Sequence, residues 1–390
     1  MQVKKRYDRV MIRTTNDLKD FCKKVLSYPF VALDTEFIRE HSYYPQLCLI
    51  QIATSDFAEC IDPMAEGLDL KPFFKLLQNK KIIKVFHSAR QDIEIFYQLT
   101  HKIPRPLMDT QIMAMACGFK ESISYQTLTE KIVHTLISKG QRATDWTKRP
   151  LTKEQVSYAL ADVTYLTTIY ATLSEQLKQT KRLRWIADEM KILTDPKTYI
   201  CHPKEAYLKA KESLQKTANP NVLQALWQWR EEQAQEQNKP RAHILKDEIL
   251  TDLVLAHPTT PADFQNLRDL PKKILQEAVM EQLIFLIQKA LSKKVKKQKK
   301  GLSPLTGAEK QTITFMKIIL DTVAQQQAVA PILIASTSDL AEILRKNKKA
   351  KPLCGWRKKV FGELCLDFLA GKISLHFNPT TQQMDFEKTS

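Results

Sequence analysis

The 390-residue sequence predicts an α/β domain, a mixed sheet flanked by helices, followed by two all-α helical domains. Three observations predict it. Short apolar runs rich in β-branched residues come early, interleaved with segments of helical period. Only helical spacing follows residue 213, and a run of six lysines between 293 and 300 divides that stretch in two. Early strands with interspersed helices are the pattern of a sheet covered by helices.

Within the first domain, "FVALDTEF" (30–37), "LCLIQIAT" (47–54) and "KIIKVFHS" (81–88) read as strands. Helical spacing runs through "RQDIEIFYQLT", "MDTQIMAMACG" and "YQTLTEKIVHTLI", then through one long stretch, "KEQVSYALADVTYLTTIYATLSEQLKQ". The second domain is read from "NVLQALWQWREEQAQEQ", "KDEILTDLVLAH" and "KKILQEAVMEQLIFLIQKALSK", with connectors such as "PTTPAD". The third comprises "QTITFMKIILDTVAQQQ", "STSDLAEILRKN" and "WRKKVFGELCLDFLAG", again all helical. The expected boundaries are 1–205, 213–292 and 301–385. No strict repeat is visible, but the last two blocks are of similar length and are candidates for related modules.

Composition narrows the class. Hydrophobic residues at 43% and charged residues at 26% fit a soluble protein of two or three domains. The seven cysteines lack a C-x-x-C pair, which speaks for a reducing compartment and against a disulfide framework or zinc ribbon. No apolar N-terminal stretch makes a signal peptide and no run has the length of a membrane span, so the expected location is cytoplasmic. The net charge of +17 is unevenly placed. Residues 1–200 hold thirty basic and twenty-three acidic residues, 201–290 twelve of each, and 291–390 eighteen against eight. Such a field favours polyanionic partners such as nucleic acid, with plain solubility as the alternative. The lysine run reads equally as a solvated linker or an RNA contact.

Chemistry concentrates in the first domain. Asp34 and Glu36 are two apart on a strand and share a face. Two such carboxylates need hydrogen bonds, a proton or a cation, unless the strand end is frayed into solvent. Asp92 stands near the start of a helix, Asp109 at another helix start, and Tyr158 and Asp162 are four apart on one helix face. Together these acids form a hard-oxygen cluster of the kind magnesium and manganese prefer. Paired divalent ions about 3.5–4 Å apart activate a water and stabilise the leaving oxygen in phosphodiester cleavage.

With these motifs assembled, the sequence resembles the ribonuclease D family, in the tyrosine-bearing branch of the DEDD 3′-5′ exonuclease superfamily. The resemblance rests on "LDTEF" with the following "YYPQLCLIQ", on "FHSARQDIEIF", on "PLMDTQIMA" and on "TDWTKRPLTKEQVSYALADVTYL". It extends over nearly the whole chain. "LQALWQWREEQAQEQNKPRAHILKDEILTDL" is similar to the HRDC domain, and "LIASTSDLAEIL" with "GWRKKVFGELCLDFLAG" to a second, degenerate copy.

The resemblance implies a ribonuclease-H-like exonuclease domain followed by two HRDC-type domains. It implies a 3′-5′ exoribonuclease that uses two divalent metal ions (Mg2+ or Mn2+) and releases nucleoside 5′-monophosphates. Asp34 would bridge both ions, Glu36 and Asp162 would complete the nucleophile side, Asp92 would serve the leaving-group side, and Tyr158 would orient the attacking water. The implied substrate is RNA, tRNA precursors and other small structured RNAs, for a monomer with no membrane and no implied protein partner. A DNA exonuclease and a non-catalytic RNA scaffold are the competing readings.

Some residues have plainer readings. His87 and Asp92 fit the H-x-x-x-x-D spacing of the histidine branch, but that assignment would leave "YALAD" unexplained, so His87 is read as packing or capping a helix start. Asp109 is read as a helix N-terminal residue that supports the site. Trp227 and Trp229 lie about 200° apart on a helix, so one is expected in the core and the other partly exposed, with base stacking as a minor alternative. Tyr43 and Tyr44 are candidates for packing on the first strand or for stacking on a substrate base. Leu223, Leu226, Arg230 and Ala234 form a helix face. No G-x-G-x-x-G or Walker-type loop is present, so no helicase motor is expected.

Overall fold

Phe30–Ile38, a nine-residue strand buried without a break from Val31 to Leu33, is the axis of the first unit. In the computed structural model, which describes residues 11–137, 144–267, 270–295, 305–380 and 382–388, the strand is the second of six. The strands are β1 (Met11–Ile12), β2 (Phe30–Ile38), β3 (Gln46–Ala53), β4 (Ala58–Ile61), β5 (Ile83–Phe86) and β6 (Leu107–Asp109), in the order β1-β4-β3-β2-β5-β6. β2 pairs antiparallel with β3 and parallel with β5, so the sheet is mixed as expected. Three of these strands are not read from the sequence. β1 and β6 have two and three residues, too few for a periodicity to show, and the four residues of β4 include the charged Glu59, unlike the mostly apolar run around β5.

Helices cover the sheet: α1 (Thr15–Val25), α2 (Lys71–Leu77), α3 (Arg90–Thr100), α4 (Thr110–Ala116), α5 (Tyr125–Val133), α6 (Lys153–Thr164), α7 (Leu166–Gln179) and α8 (Ala187–Leu193). α6 packs across β2, β3 and β4, while Phe96 of α3 meets Phe86 of β5 and Phe73 of α2. The long stretch 153–179 is two helices and not one. The Thr164 hydroxyl donates to the Leu160 carbonyl at 2.7 Å and the Thr167 hydroxyl to the Thr164 carbonyl at 2.8 Å. Side chains that compete in this way for helix carbonyls favour a break at Tyr165.

The second unit holds α9 (Glu212–Thr217), α10 (Pro220–Glu236), α11 (Arg241–Ile244), α12 (Asp247–Ala256), α13 (Pro261–Gln265) and α14 (Glu277–Leu291) around its own apolar core. Both Trp227 and Trp229 are buried, against the expectation that one would be partly exposed. The reason is that α10 is the central helix, wrapped by α11, α12, α14 and the turn 203–209. A helix covered all round carries apolar residues on every side. Trp229 Nε1 also donates to Gln282 Oε1 of α14 at 3.1 Å.

The third unit has α15 (Gly307–Gln326), α16 (Pro331–Ile334), α17 (Thr337–Leu344), α18 (Gly355–Arg357) and α19 (Glu363–Leu369) over a third core. It is not all helical. A hairpin of β7 (Ile373–Asn378) and β8 (Gln383–Lys388) follows α19. Of the lysine run, Lys293 and Lys294 are described and exposed; the other four lysines lie outside the described residues. Among the described residues no helix is long and apolar enough to cross a membrane.

Candidate active site

The register of the central strand places the acids. Asp34 stands opposite Gln51 and Glu36 opposite Leu49, so both carboxylates share the face over which α6 packs. α6 begins at Thr152, whose capping box with Gln155 fixes the first turn. The segment ahead of it is pinned to the sheet by Arg149, which donates to both oxygens of Asp62 and to the Cys48 carbonyl. From this anchored helix Tyr158 and Asp162 project one turn apart. Asp34, Glu36 and Asp162 each bring a carboxylate oxygen to within 4.8 Å of the other two, all three half-buried.

Asp92 arrives differently. β5 pairs only with Phe30–Ala32 of β2 and ends at Phe86, leaving the β5-side edge of β2 open beyond that point. The chain turns there into α3, and Asp92, in the first turn, accepts a 2.5 Å hydrogen bond from the Thr35 hydroxyl. Thr35 points to the face opposite Asp34, so α3 and α6 approach β2 from its two sides. Asp109 secures the turn. Its carboxylate caps α4 through Gln111 N and accepts from Ser88 N and Ala89 N, just ahead of α3.

The electrostatics are those of an acid cluster withdrawn from water. Burial, then the charges of Asp92, Asp162 and Glu36, hold the Asp34 carboxyl well above its usual range. Burial pushes Asp92 up to about 7 against the opposing bond from Thr35. The donor set, three convergent carboxylates that disfavour each other's charge, fits a hard divalent cation.

His87 is committed elsewhere. Its Nδ1 meets the Thr110 hydroxyl at 2.9 Å and its Nε2 the Ile123 carbonyl at 3.0 Å, and burial lowers its pKa. Tyr158 is half-buried, its ring centroid 6.3 Å from that of Trp146. It lines a hollow of about 540 Å³ with Lys153, Ser157 and Ala161.

Three neighbours of the site carry no signal in local spacing. Thr35 is hidden between the two acids. Tyr125 donates to the Ala161 carbonyl at 2.8 Å, and burial, then Asp162 and Asp34, raise its pKa far above the usual value. Gln51 lies inside "YYPQLCLIQ", where nothing distinguishes it from its neighbours. Strand pairing, which local spacing does not report, is what brings it opposite Asp34.

A larger cleft of about 1,020 Å³ lies between α3, the segment 198–209 and the second unit, where Arg39, Arg90 and Lys209 stand among Tyr44, Tyr97 and Tyr199. Tyr43 does not stack on the first strand. It is buried in the core of the second unit.

Comparison with known proteins places these observations. A 3′-5′ exonuclease family model matches residues 9–178 and an HRDC domain model residues 219–283. The chain is 39% identical over 369 residues to a ribonuclease D of Nitrobacter hamburgensis, covering 94% of this chain and 96% of that one. It is 41% identical over 380 residues to a ribonuclease D of Bartonella henselae, covering 95% and 93%. Among solved structures it is similar to Escherichia coli RNase D, an exoribonuclease involved in structured RNA processing, with a TM-score of 0.80 at 27% identity over 93% of this chain and 99% of that one. The catalytic core of RRP6 from Trypanosoma brucei shares the fold, with a TM-score of 0.55 at 21% identity over 72% and 79% of the two chains.

Proposed function

The chain belongs to the ribonuclease D family and is on that ground a 3′-5′ exoribonuclease, a nuclease hydrolase; from that premise we propose that it shortens RNA 3′ ends by a two-metal-ion mechanism. The products would be nucleoside 5′-monophosphates, and the substrates tRNA precursors and other small structured RNAs. The observation that carries this reading is the convergence of Asp34, Glu36 and Asp162 within 4.8 Å.

In this proposal Asp34 is the shared ligand of two ions, Mg2+ or Mn2+. Glu36 and Asp162 hold the ion on the nucleophile side, and Asp92 serves the leaving-group side, steadied by Thr35. Bound divalent cations would supply the Lewis acidity that activates water and offsets charge on the leaving oxygen. The chain's own work is to fix four carboxylates from two faces of one strand and to exclude bulk water from them. Tyr158, one turn before Asp162, orients the water that attacks phosphorus. Asp109 and His87 act behind the site, holding the turn into α3.

We further propose units of 1–205, 213–292 and 301–385, the last a degenerate HRDC domain. Its support is an internal correspondence at an offset of 90 residues. α10 ends at Glu236, α11 spans Arg241–Ile244 and α12 starts at Asp247; α15 ends at Gln326, α16 spans Pro331–Ile334 and α17 starts at Thr337. Asn238 and Ala328, at equivalent places, both have φ of 47°. We propose action as a monomer, and a cytoplasmic location, which the seven free cysteines fit.

Incubation of matched single-stranded RNA and DNA oligomers, with and without magnesium, tests the reading. RNA shortened stepwise from its 3′ end only with magnesium, with 5′-monophosphates as products, is the expected result. Equal loss of DNA would move the protein to the competing DNA exonuclease, and no cleavage of either would leave the scaffold.

A further inference from the structure

Gln51 is fully buried on β3, and neither its Oε1 nor its Nε2 has a hydrogen-bond partner. Buried amides are ordinarily satisfied, and one with both ends unpaired needs an explanation. Its position supplies one. In the antiparallel pairing of β2 with β3, Gln51 stands directly opposite Asp34, and in that of β3 with β4 directly opposite Cys60. Directly opposed residues share a face with Cβ atoms about 5 Å apart.

The other neighbours on that face are poor in polar groups. Along β3, Leu49 and Ala53 flank Gln51; diagonally across lie Ala32 and Ala58. Cys60 offers only a weak donor and acceptor. The strong hydrogen-bonding groups beside Gln51 are three carboxylates: Asp34, directly opposite, Glu36, on the diagonal, and Asp62, which follows β4 and has both oxygens taken up by Arg149. An ionised carboxylate accepts and does not donate, whereas a primary amide carries two N–H donors and a carbonyl acceptor.

We propose that Gln51 is a positioning residue of the active site: its amide N–H donates to Asp34 and fixes that carboxylate in the orientation in which it holds a divalent cation. This rests on the reading of Asp34 as a metal ligand. Direct opposition across the strands, with Cβ atoms about 5 Å apart, puts the Asp34 carboxylate within the span of a glutamine side chain. Partners of this kind behind a metal ligand set its orientation, and losing one typically costs about 10–100-fold in metal affinity or activity. A purely structural amide would instead be tied to backbone, as Gln78 is to the Ile103 carbonyl.

Gln51→Met keeps the length and approximate volume of the side chain and removes both polar ends. Calorimetric titration of the full chain with Mn2+ alone, without RNA, should show affinity about 10–100-fold weaker than wild type. In chelator the variant should stay folded, with a thermal midpoint close to that of wild type. A lowered midpoint with unchanged Mn2+ affinity would make Gln51 a structural residue and overturn the proposal. If Gln51→Met does not fold, Gln51→Asn retains the amide but withdraws it by one methylene; a loss of Mn2+ affinity in the folded protein supports the proposal, and wild-type affinity overturns it. Asp34→Asn separates the two levels. Mn2+ binding that survives Asp34→Asn defeats the metal assignment itself, whereas binding lost in Asp34→Asn but intact in Gln51→Met defeats only the role of Gln51.

Discussion

Asp34 is the residue on which most of the site's physics converges. It is half-buried, opposed across the strands by an unpaired amide, and surrounded by three acids that raise its pKa after burial itself. Asp34→Asn should abolish magnesium-supported hydrolysis while RNA binding persists. In chelator the variant should be more stable than wild type, because a charge is removed from a like-charged cluster. The pH dependence has a sign. Asp92 has a folded pKa of about 7, raised from 3.8, so the stability linked to its proton is complete below about 4 and lost as pH rises through 7. Asp34 is likewise held well above its ordinary value, so the advantage of Asp34→Asn should grow as pH rises above about 4, read by thermal melts in chelator; turnover near wild type would remove Asp34 from the metal site. Tyr158→Phe isolates a different contribution. It keeps the ring beside Trp146 and deletes the hydroxyl, so kcat should fall by ~10²–10⁴ with Mn2+ affinity little changed. A larger loss from His87→Ala, in a protein that still folds and binds RNA, would restore the histidine assignment. Spacing on a strand and on a helix reports a shared face for Asp34 with Glu36 and for Tyr158 with Asp162. Asp92 and the five-residue set as a whole are read through the family resemblance. Thr35, Tyr125 and Gln51 are legible in neither way, because each touches the site through strand pairing or helix packing.

At the scale of elements, sequence patterns convey the type of each long segment and miss what packs against it. Trp227 and Trp229 read as opposite sides of one helix, one of them partly exposed, yet α10 is enclosed and buries both. The C-terminal hairpin is invisible for the opposite reason, since its two six-residue strands pair mainly with each other. The junction of α10 with the loop after β2 shows how such packing is held. Tyr43 donates to Glu231, and Arg241 Nη2 reaches the same carboxylate at 2.6 Å and the Tyr43 hydroxyl at 3.0 Å. Burial alone would raise the Glu231 carboxyl, but the bonds from Arg241 and Tyr43 outweigh it and bring it down to about 2. A depressed carboxylate contributes stability above its ordinary value of 4.5 that is lost as pH falls toward the folded value. Glu231→Gln removes the charge from this junction, where a hydrogen bond to an ionised group contributes roughly 1.5–3 kcal/mol. Denaturant melts at pH 7 should show the variant less stable by about 2 kcal/mol. The gap should close between pH 4.5 and 2. A gap independent of pH would mean that packing, and not the Glu231 charge, holds α10 to the nuclease.

Across the whole molecule the two helical units meet the nuclease through the same corner of their shared plan. In the second unit Asn238, just after α10, accepts from Tyr44 N at 3.0 Å. In the third, Gly118 of the nuclease, with φ of 92°, lies so near Ala328 that an added Cβ would stand 3.2 Å from its carbonyl oxygen, and Ala330 N donates to the Met115 carbonyl at 2.8 Å. Asn238 and Ala328 are the 90-residue equivalents. Further interactions tie the third unit down: Trp356 stacks on Trp185 at 4.0 Å, and the buried Arg357 bridges Asp188 and Glu189 at 2.9 Å each. The segment that joins the two docked units carries the lysine run, and residues 291–390 supply most of the chain's excess positive charge. Lys293 and Lys294 are exposed, and a run of this charge reads as an RNA contact or as a solvated linker. Replacing the six lysines between 293 and 300 with glutamine leaves every docking interaction and every carboxylate of the site in place. Binding of tRNA-sized RNA to the full chain should then weaken, and the plot of log affinity against log salt should flatten by roughly 0.7–0.9 for each phosphate no longer neutralised. Cleavage of a short single-stranded oligomer should be little changed, because its 3′ end needs only the nuclease unit. Equal slopes in the two proteins would make the run a solvated linker and leave substrate recruitment to the cleft and the nuclease face.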